Sequence, residues 1–199
     1  ARSRAEQLAG MGYVAFAVDM YGEDKVTSHG SQAKEWMQQI TANTHAWQRR
    51  AALGIDQLRA SELVDGAKVA AIGYCFGGGV VLHMARTGSD LAAVASFHGA
   101  LPLATAGLDG PARPKARLAV YHGEADEFVT MDEAREFRGS LDAVDADLLF
   151  VLLPGATHGF TNPLATERGE KYGLPLRYSE LADNASWDHM QLVLREALG

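Results

Sequence analysis

Acyl transfer needs a nucleophile, a group to carry its proton and a group to hold that carrier. This chain spaces candidates for all three. Its lone cysteine, Cys75, sits in Gly73-Tyr74-Cys75-Phe76-Gly77-Gly78-Gly79. Asp126 follows in Gly123-Glu124-Ala125-Asp126, and His158 in Gly155-Ala156-Thr157-His158-Gly159-Phe160. A thiolate attacks carbonyl carbon, and a helix N-terminus together with a histidine partner lowers a thiol's pKa. The imidazole accepts and returns the proton, while the carboxylate sets its tautomer and stabilises its cation. Nucleophile, acid, histidine is also the chain order of an α/β-hydrolase elbow. There the backbone N–H of Phe76, after the nucleophile, is the expected oxyanion donor, with a second donor expected from an earlier strand-to-helix loop. Taken alone, the cysteine stretch also reads as a small buried thiol beside a Gly-rich turn.

The elements that must hold these residues follow from hydrophobic patterning. Residues 69–72 are a short apolar run ending at Gly73, and residues 80–85 read as helix, so Cys75 stands at a strand-to-helix turn. Glycines beside it let strand and helix approach closely. Residues 13–18, 91–96, 115–121 and 148–153 are further apolar runs suited to strands buried on both faces. Helical patterns fall at residues 1–9, 32–40, 43–60, 131–141 and 182–198, with Trp47, Ala51, Ile55 and Leu58 marking a face to lay on a sheet. Loops are expected from Asp19 through Gly30, from Phe97 through Pro114, and over residues 161–178. Five strands alternating with helices predict a mostly parallel sheet with helices on both faces, a three-layer α/β sandwich forming one domain over residues 1–199. Ligand sites in such sheets lie beyond the carboxyl ends of the strands, where Cys75, Asp126 and His158 each stand.

Rivals exist for two of the roles. His98 and His122 also follow or end predicted strands; His122 fits a structural turn, and His98 is a pocket-lining candidate. Glu124 and Asp19 are alternative acids, and His29, His45, His83 and His189 read as surface or packing residues. No His-x-His, His-Glu-x-x-His or carboxylate cluster has metal-ligand spacing, so no metal is expected. Gly77-Gly78-Gly79 lacks the Gly-Lys-Ser/Thr of a phosphate loop and the glycine order of a dinucleotide turn, so no cofactor is expected.

Composition narrows the partners. With 18 basic and 25 acidic residues the net charge is −7, which argues against a nucleic-acid groove or an anionic membrane surface. No apolar stretch approaches the ~20 residues that span a bilayer. One cysteine excludes an intramolecular disulfide, and a free thiol fits a reducing, cytoplasmic setting. Residues 1–9 look like a helix already under way, without a basic-then-apolar signal segment, so upstream elements are expected to precede this sequence.

Together, Gly73-Tyr74-Cys75-Phe76-Gly77-Gly78, Gly123-Glu124-Ala125-Asp126-Glu127-Phe128-Val129 and Gly155-Ala156-Thr157-His158-Gly159-Phe160 closely resemble the dienelactone hydrolase family. Gly12-Tyr13-Val14-Ala15 running to Asp19-Met20-Tyr21-Gly22 resembles that family's stretch before the elbow. The resemblance implies an α/β-hydrolase fold and a Cys75–Asp126–His158 triad acting on esters or lactones through a covalent acyl-enzyme. It also implies upstream strands and an oxyanion loop, with a glutamate that interacts with the cysteine. Members acting on dienelactone hold its carboxylate with arginines shortly after the Asp-x-Tyr stretch and after the histidine. Here those neighbourhoods read Tyr21-Gly22-Glu23-Asp24 and Phe160-Thr161-Asn162-Pro163, so a neutral substrate is expected.

Pocket candidates are therefore Tyr21, Glu23, His98, Phe160 and Asn162. The expected partner is a small ester or lactone, with phosphotriesters as a further electrophilic class, and the expected state is monomer or weak homo-oligomer. Two other readings compete: a non-catalytic binding module on the same fold, and a thiol redox sensor, which lacks an internal resolving cysteine.

Overall fold

A computed structural model describes residues 1–27, 29–108, 110 and 113–199. The expected loops through Gly30 and Pro114 thus lie partly outside the described residues, at Ser28 and at Asp109, Pro111 and Ala112. The chain divides into two compact units, residues 1–69 and 70–199.

The first unit holds α1 (Arg2–Gly10), α2 (Gly30–Thr41) and α3 (Thr44–Arg59). Asn43 caps α3 by accepting the Ala46 N–H, and the helix buries Trp47, Ala51 and Gly54. Residues 13–18 correct the sequence reading: they form no ladder, and the exposed side chains of Val14, Phe16 and Val18 alternate with half-buried Tyr13, Ala15 and Ala17. A strand exists through its neighbours' hydrogen bonds, and no other described residue of this unit is in a strand. An apolar run alone therefore did not make the fifth strand.

In the second unit, β1 (Ala70–Tyr74) leads into α4 (Phe76–Arg86), and β2 (Ala93–Phe97) into a short 3-10 turn, Leu101–Thr105. Next come β3 (Arg117–Gly123), α5 (Met131–Asp142), β4 (Leu148–Leu153), α6 (Ala165–Tyr172) and α7 (Glu180–Leu198). The four strands pair in parallel in the order β1-β2-β3-β4. β2 is buried throughout, as a strand covered on both faces must be.

Register explains which face meets which helix. Tyr74, Phe97 and Tyr121 are paired neighbours, and their rings stack at 4.8 Å in both steps. On that face the Tyr121 hydroxyl meets Nδ1 of His189 on α7 at 2.9 Å. Ser96, one residue from Phe97, points the other way, toward Gly78 of α4. Helices thus lie on both faces, as expected. α5 starts with a capping box between Thr130 and Glu133 and buries Ala134, Phe137 and Leu141. α6 lies inside residues 161–178, which the sequence reading left as a loop. It is short and mostly polar, its buried residues are Ala165 and Gly169, and Gly173 ends it at φ 62°. No described helix is long and apolar enough to cross a membrane.

Candidate active site

The carboxyl ends of β1, β3 and β4 bring Cys75, Asp126 and His158 together. Cys75 follows β1 directly at φ 52° and ψ −119°, a left-handed backbone rarely adopted by a residue with a Cβ. Surrounding bonds hold it there. Its N–H donates to the Phe97 carbonyl at 3.1 Å, and its own carbonyl accepts the Ala100 and Gly78 N–H groups at 2.9 and 3.0 Å. The glycine pattern has a steric cause. A Cβ on Gly73 would collide with the Gly77 carbonyl, and one on Gly78 would lie 2.6 Å from Ser96 Oγ and 2.7 Å from Gly99 Cα. Helix and sheet approach there as closely as backbone allows.

Asp126 lies just past β3, and its side chain is fully committed. Oδ1 accepts the Phe128 and Val129 N–H groups at 2.8 and 3.0 Å, while Oδ2 meets His158 Nδ1 at 2.8 Å. With Nδ1 so engaged, the imidazole's other nitrogen, Nε2, is the one left to serve Cys75, and the thiol and the ring shift each other's pKa. His158 is buried, and a parallel bridge to Leu176 holds its backbone.

Burial raises the Cys75 pKa, but the hydrogen bond and charge of His158, aided by the Phe76 N–H, outweigh it and bring the thiol below its usual value. Burial likewise opposes the His158 cation; the bonds from Asp126 and then Cys75 prevail and raise its pKa to about 10. Asp126 is pushed up by burial and pulled lower by His158 and the Val129 and Phe128 N–H groups. Together these favour a thiolate beside an imidazolium. That is the charge state a cysteine nucleophile needs.

The rivals take other roles. Asp19 accepts the Tyr21, Gly22 and Asp24 N–H groups at 3.1, 2.8 and 3.0 Å, which organises a turn and lowers its pKa. Glu124 is exposed. His122 is buried within β3 rather than in a turn, and burial lowers its pKa. His83 and His189 pack inside the second unit, whereas His29 and His45 are exposed.

Of the pocket candidates, His98 and Phe160 stand beside the triad. The His98 ring lies 5.1 Å from that of His158 and 5.1 Å from that of Phe160. His98 Nε2 meets Thr161 Oγ1 at 2.8 Å, and burial, then the His158 charge, lower its pKa to about 3. It is a neutral wall, not a base. Asn162 Oδ1 accepts the Leu164 N–H at 3.1 Å in the turn before α6. Tyr21 and Glu23 belong to residues 1–69: Tyr21 faces Trp36 across 6.2 Å, and Glu23 pairs with Lys25 at 3.3 Å. Two neighbours of the chemistry had no role in the sequence reading. Thr161 carried no signal, since its bond to His98 spans 63 residues. Phe128, in the Asp126 motif, packs 5.0 Å from the His158 ring.

A family model described as the dienelactone hydrolase family matches residues 1–198. This chain belongs to the dienelactone hydrolase family. A dienelactone hydrolase-like promiscuous phosphotriesterase from metagenomic libraries superposes with a TM-score of 0.87 at 34% identity, covering 100% of this chain and 81% of that one. The protein m3DLH gives a TM-score of 0.85 at 30% identity, again covering 100% and 81%. An uncharacterised protein of Caenorhabditis elegans is 31% identical over 148 residues, 72% of this chain and 89% of its own length. The fold is that of the α/β-hydrolases, and this family member is a hydrolase acting on ester bonds.

Proposed function

We propose that this dienelactone hydrolase family member cleaves small neutral carboxylic esters and lactones through a Cys75–His158–Asp126 triad and a covalent acyl-enzyme. The observation that carries the reading is the 2.8 Å bond between Asp126 Oδ2 and Nδ1 of His158, on a ring that also interacts with Cys75. The Cys75 thiolate adds to the acyl carbon, forming a C–S bond and moving the carbonyl electron pair onto oxygen. The Phe76 N–H, which helps to lower the Cys75 pKa, is the donor this reading assigns to that oxygen. Collapse breaks the C–O bond, and the departing alkoxide takes the proton from the His158 imidazolium. His158, now neutral, takes a proton from water as it attacks the thioester. The C–S bond breaks, releasing the acid, the thiolate and the imidazolium. Only groups of this chain and water take part, so the proposal includes no cofactor.

Phosphotriesters form a second substrate class in this reading, favoured by the phosphotriesterase named as a relative at 34% identity. The family match over residues 1–198 spans both compact units and supports their working as one hydrolase domain. A nucleophilic thiol suits a reducing, cytoplasmic setting.

Ester turnover and the acyl-enzyme burst are to be measured for wild type, Cys75→Ser and His158→Ala. The expected result is a burst in wild type and turnover reduced at least ~100-fold in both variants. Full activity in both would discard the triad. Absence of turnover and of burst in wild type would favour the non-catalytic module.

A further inference from the structure

Two rings touch His158 from within its own unit, and they differ in what they face. His98 is 4% exposed, whereas Phe128, at 5.0 Å and an interplanar angle of 55°, is 48% exposed. The Phe128 backbone already has a structural task, donating its N–H to Asp126 Oδ1 at 2.8 Å. Any residue except proline could supply that N–H, so the bond explains the position without requiring a phenyl ring. Leaving half of a phenyl ring in water forgoes burial that a large apolar side chain would normally gain. The N–H bond also fixes where the ring stands, because Asp126 orients His158 and anchors residue 128 through the same carboxylate.

Chemistry assigns a use to that place. In acylation the leaving oxygen takes its proton from His158, so the first atoms of the leaving group must come within hydrogen-bond reach of the imidazole. Substrate arrives from solvent, and Phe128 is the solvent-facing ring of the two. An aromatic group carried on the leaving oxygen can pack there in an offset or tilted arrangement, burying both apolar faces.

We infer that Phe128 is a specificity-determining residue, an apolar platform for the leaving group that favours esters of aromatic alcohols over esters of small alkyl alcohols. This rests on the triad reading above.

The test compares benzyl acetate with ethyl acetate. The two leaving alcohols have similar acidity, and both esters give the same acetyl-enzyme, so the ratio of their kcat/KM values isolates acylation. In Phe128→Ala the benzyl-to-ethyl ratio is expected to fall about tenfold from wild type, equivalent to about 1.4 kcal/mol. Phe128→Leu keeps apolar bulk without the ring and is expected to fall between the two; it also serves should the alanine variant fail to fold. An unchanged ratio in the folded variants, or equal losses on both esters, overturns the inference. His158→Ala, run alongside, separates the two claims: if it abolishes turnover of both esters while the ratio is unmoved in the Phe128 variants, the triad stands and the platform falls.

Discussion

Replacing Asp126 with asparagine preserves the shape of the side chain and changes only which atoms donate. Oδ1 accepts two backbone N–H groups, from Phe128 and Val129, at 2.8 and 3.0 Å. An amide nitrogen cannot accept either bond, so the asparagine carbonyl must take that position and the NH2 group must take the place of Oδ2. That places a donor 2.8 Å from His158 Nδ1, which then has to present a lone pair. The ring's proton is forced onto Nε2, the nitrogen that faces Cys75. A neutral ring in this tautomer cannot take the thiol's proton. The largest influence raising the His158 pKa is also lost, leaving Cys75 alone to oppose burial, so the imidazolium is disfavoured. The comparable change in a serine triad lowers kcat ~10⁴-fold. A thiol ionises more readily than a hydroxyl, so Asp126→Asn is expected to lose about 10³–10⁴-fold in kcat, about 4–5.5 kcal/mol of barrier. The assay is steady-state hydrolysis of an activated acetate ester, with circular dichroism melting to establish that the fold persists. A folded Asp126→Asn enzyme within tenfold of wild type would refute the orientation argument.

Three further outcomes follow from the structure. His158 holds the Cys75 thiolate against burial, so the inflexion in iodoacetamide alkylation rate should move to higher pH in His158→Ala; an unmoved inflexion would assign the thiolate to another cause. For stability, the His158 contribution is full below its ordinary value of 6.5 and lost as pH rises through about 10, while the Cys75 contribution is full above its ordinary value of 9.0 and lost as pH falls. Between these ordinary values the two trends oppose each other, and above 9.0 the His158 loss stands alone, so the pair's contribution declines as pH rises from there through about 10; the melting-temperature difference between wild type and the double variant Cys75→Ser/His158→Ala, measured across pH, reads it. Gly78→Ala places a methyl 2.6 Å from Ser96 Oγ and 2.7 Å from Gly99 Cα, where the second neighbour is backbone and cannot turn aside. It should cost ~1–3 kcal/mol or more in urea denaturation, and a variant as stable as wild type would show that α4 is not tightly seated.

Much of the second unit was legible in the sequence for a physical reason. A parallel strand covered on both faces must be apolar at nearly every position, as β2 and β3 largely are; β4, a half-buried edge strand, is apolar too and printed its bounds directly, and the ends of β1 and β3 were displaced by only two residues. β1, β3 and β4 stop one, three and five residues before Cys75, Asp126 and His158. The same rule misled at residues 13–18, because an apolar run reports what a strand requires and not whether a neighbour pairs with it. α6 was hidden because it is short and mostly polar, and the residues it buries, Ala165 and Gly169, are small. A Cβ on Gly169 would lie 3.0 Å from the Leu174 carbonyl oxygen, a constraint that exists only once the chain has turned back on itself.

Cys75, Asp126 and His158, their order and their strand ends were determined by the sequence, since side-chain chemistry and hydrophobic period are local properties. Tertiary structure alone decided how those groups are charged and what surrounds them. The raised His158 pKa comes from bonds to residues 32 and 83 positions away along the chain, and His98 was sorted from base to neutral wall by burial against His158. Phe128 acquired a part beside the chemistry only because the loops after β3 and β4 converge. Desolvation, charge proximity and ring contact act through space, and spacing along the chain does not encode them until the sheet brings its strand ends together.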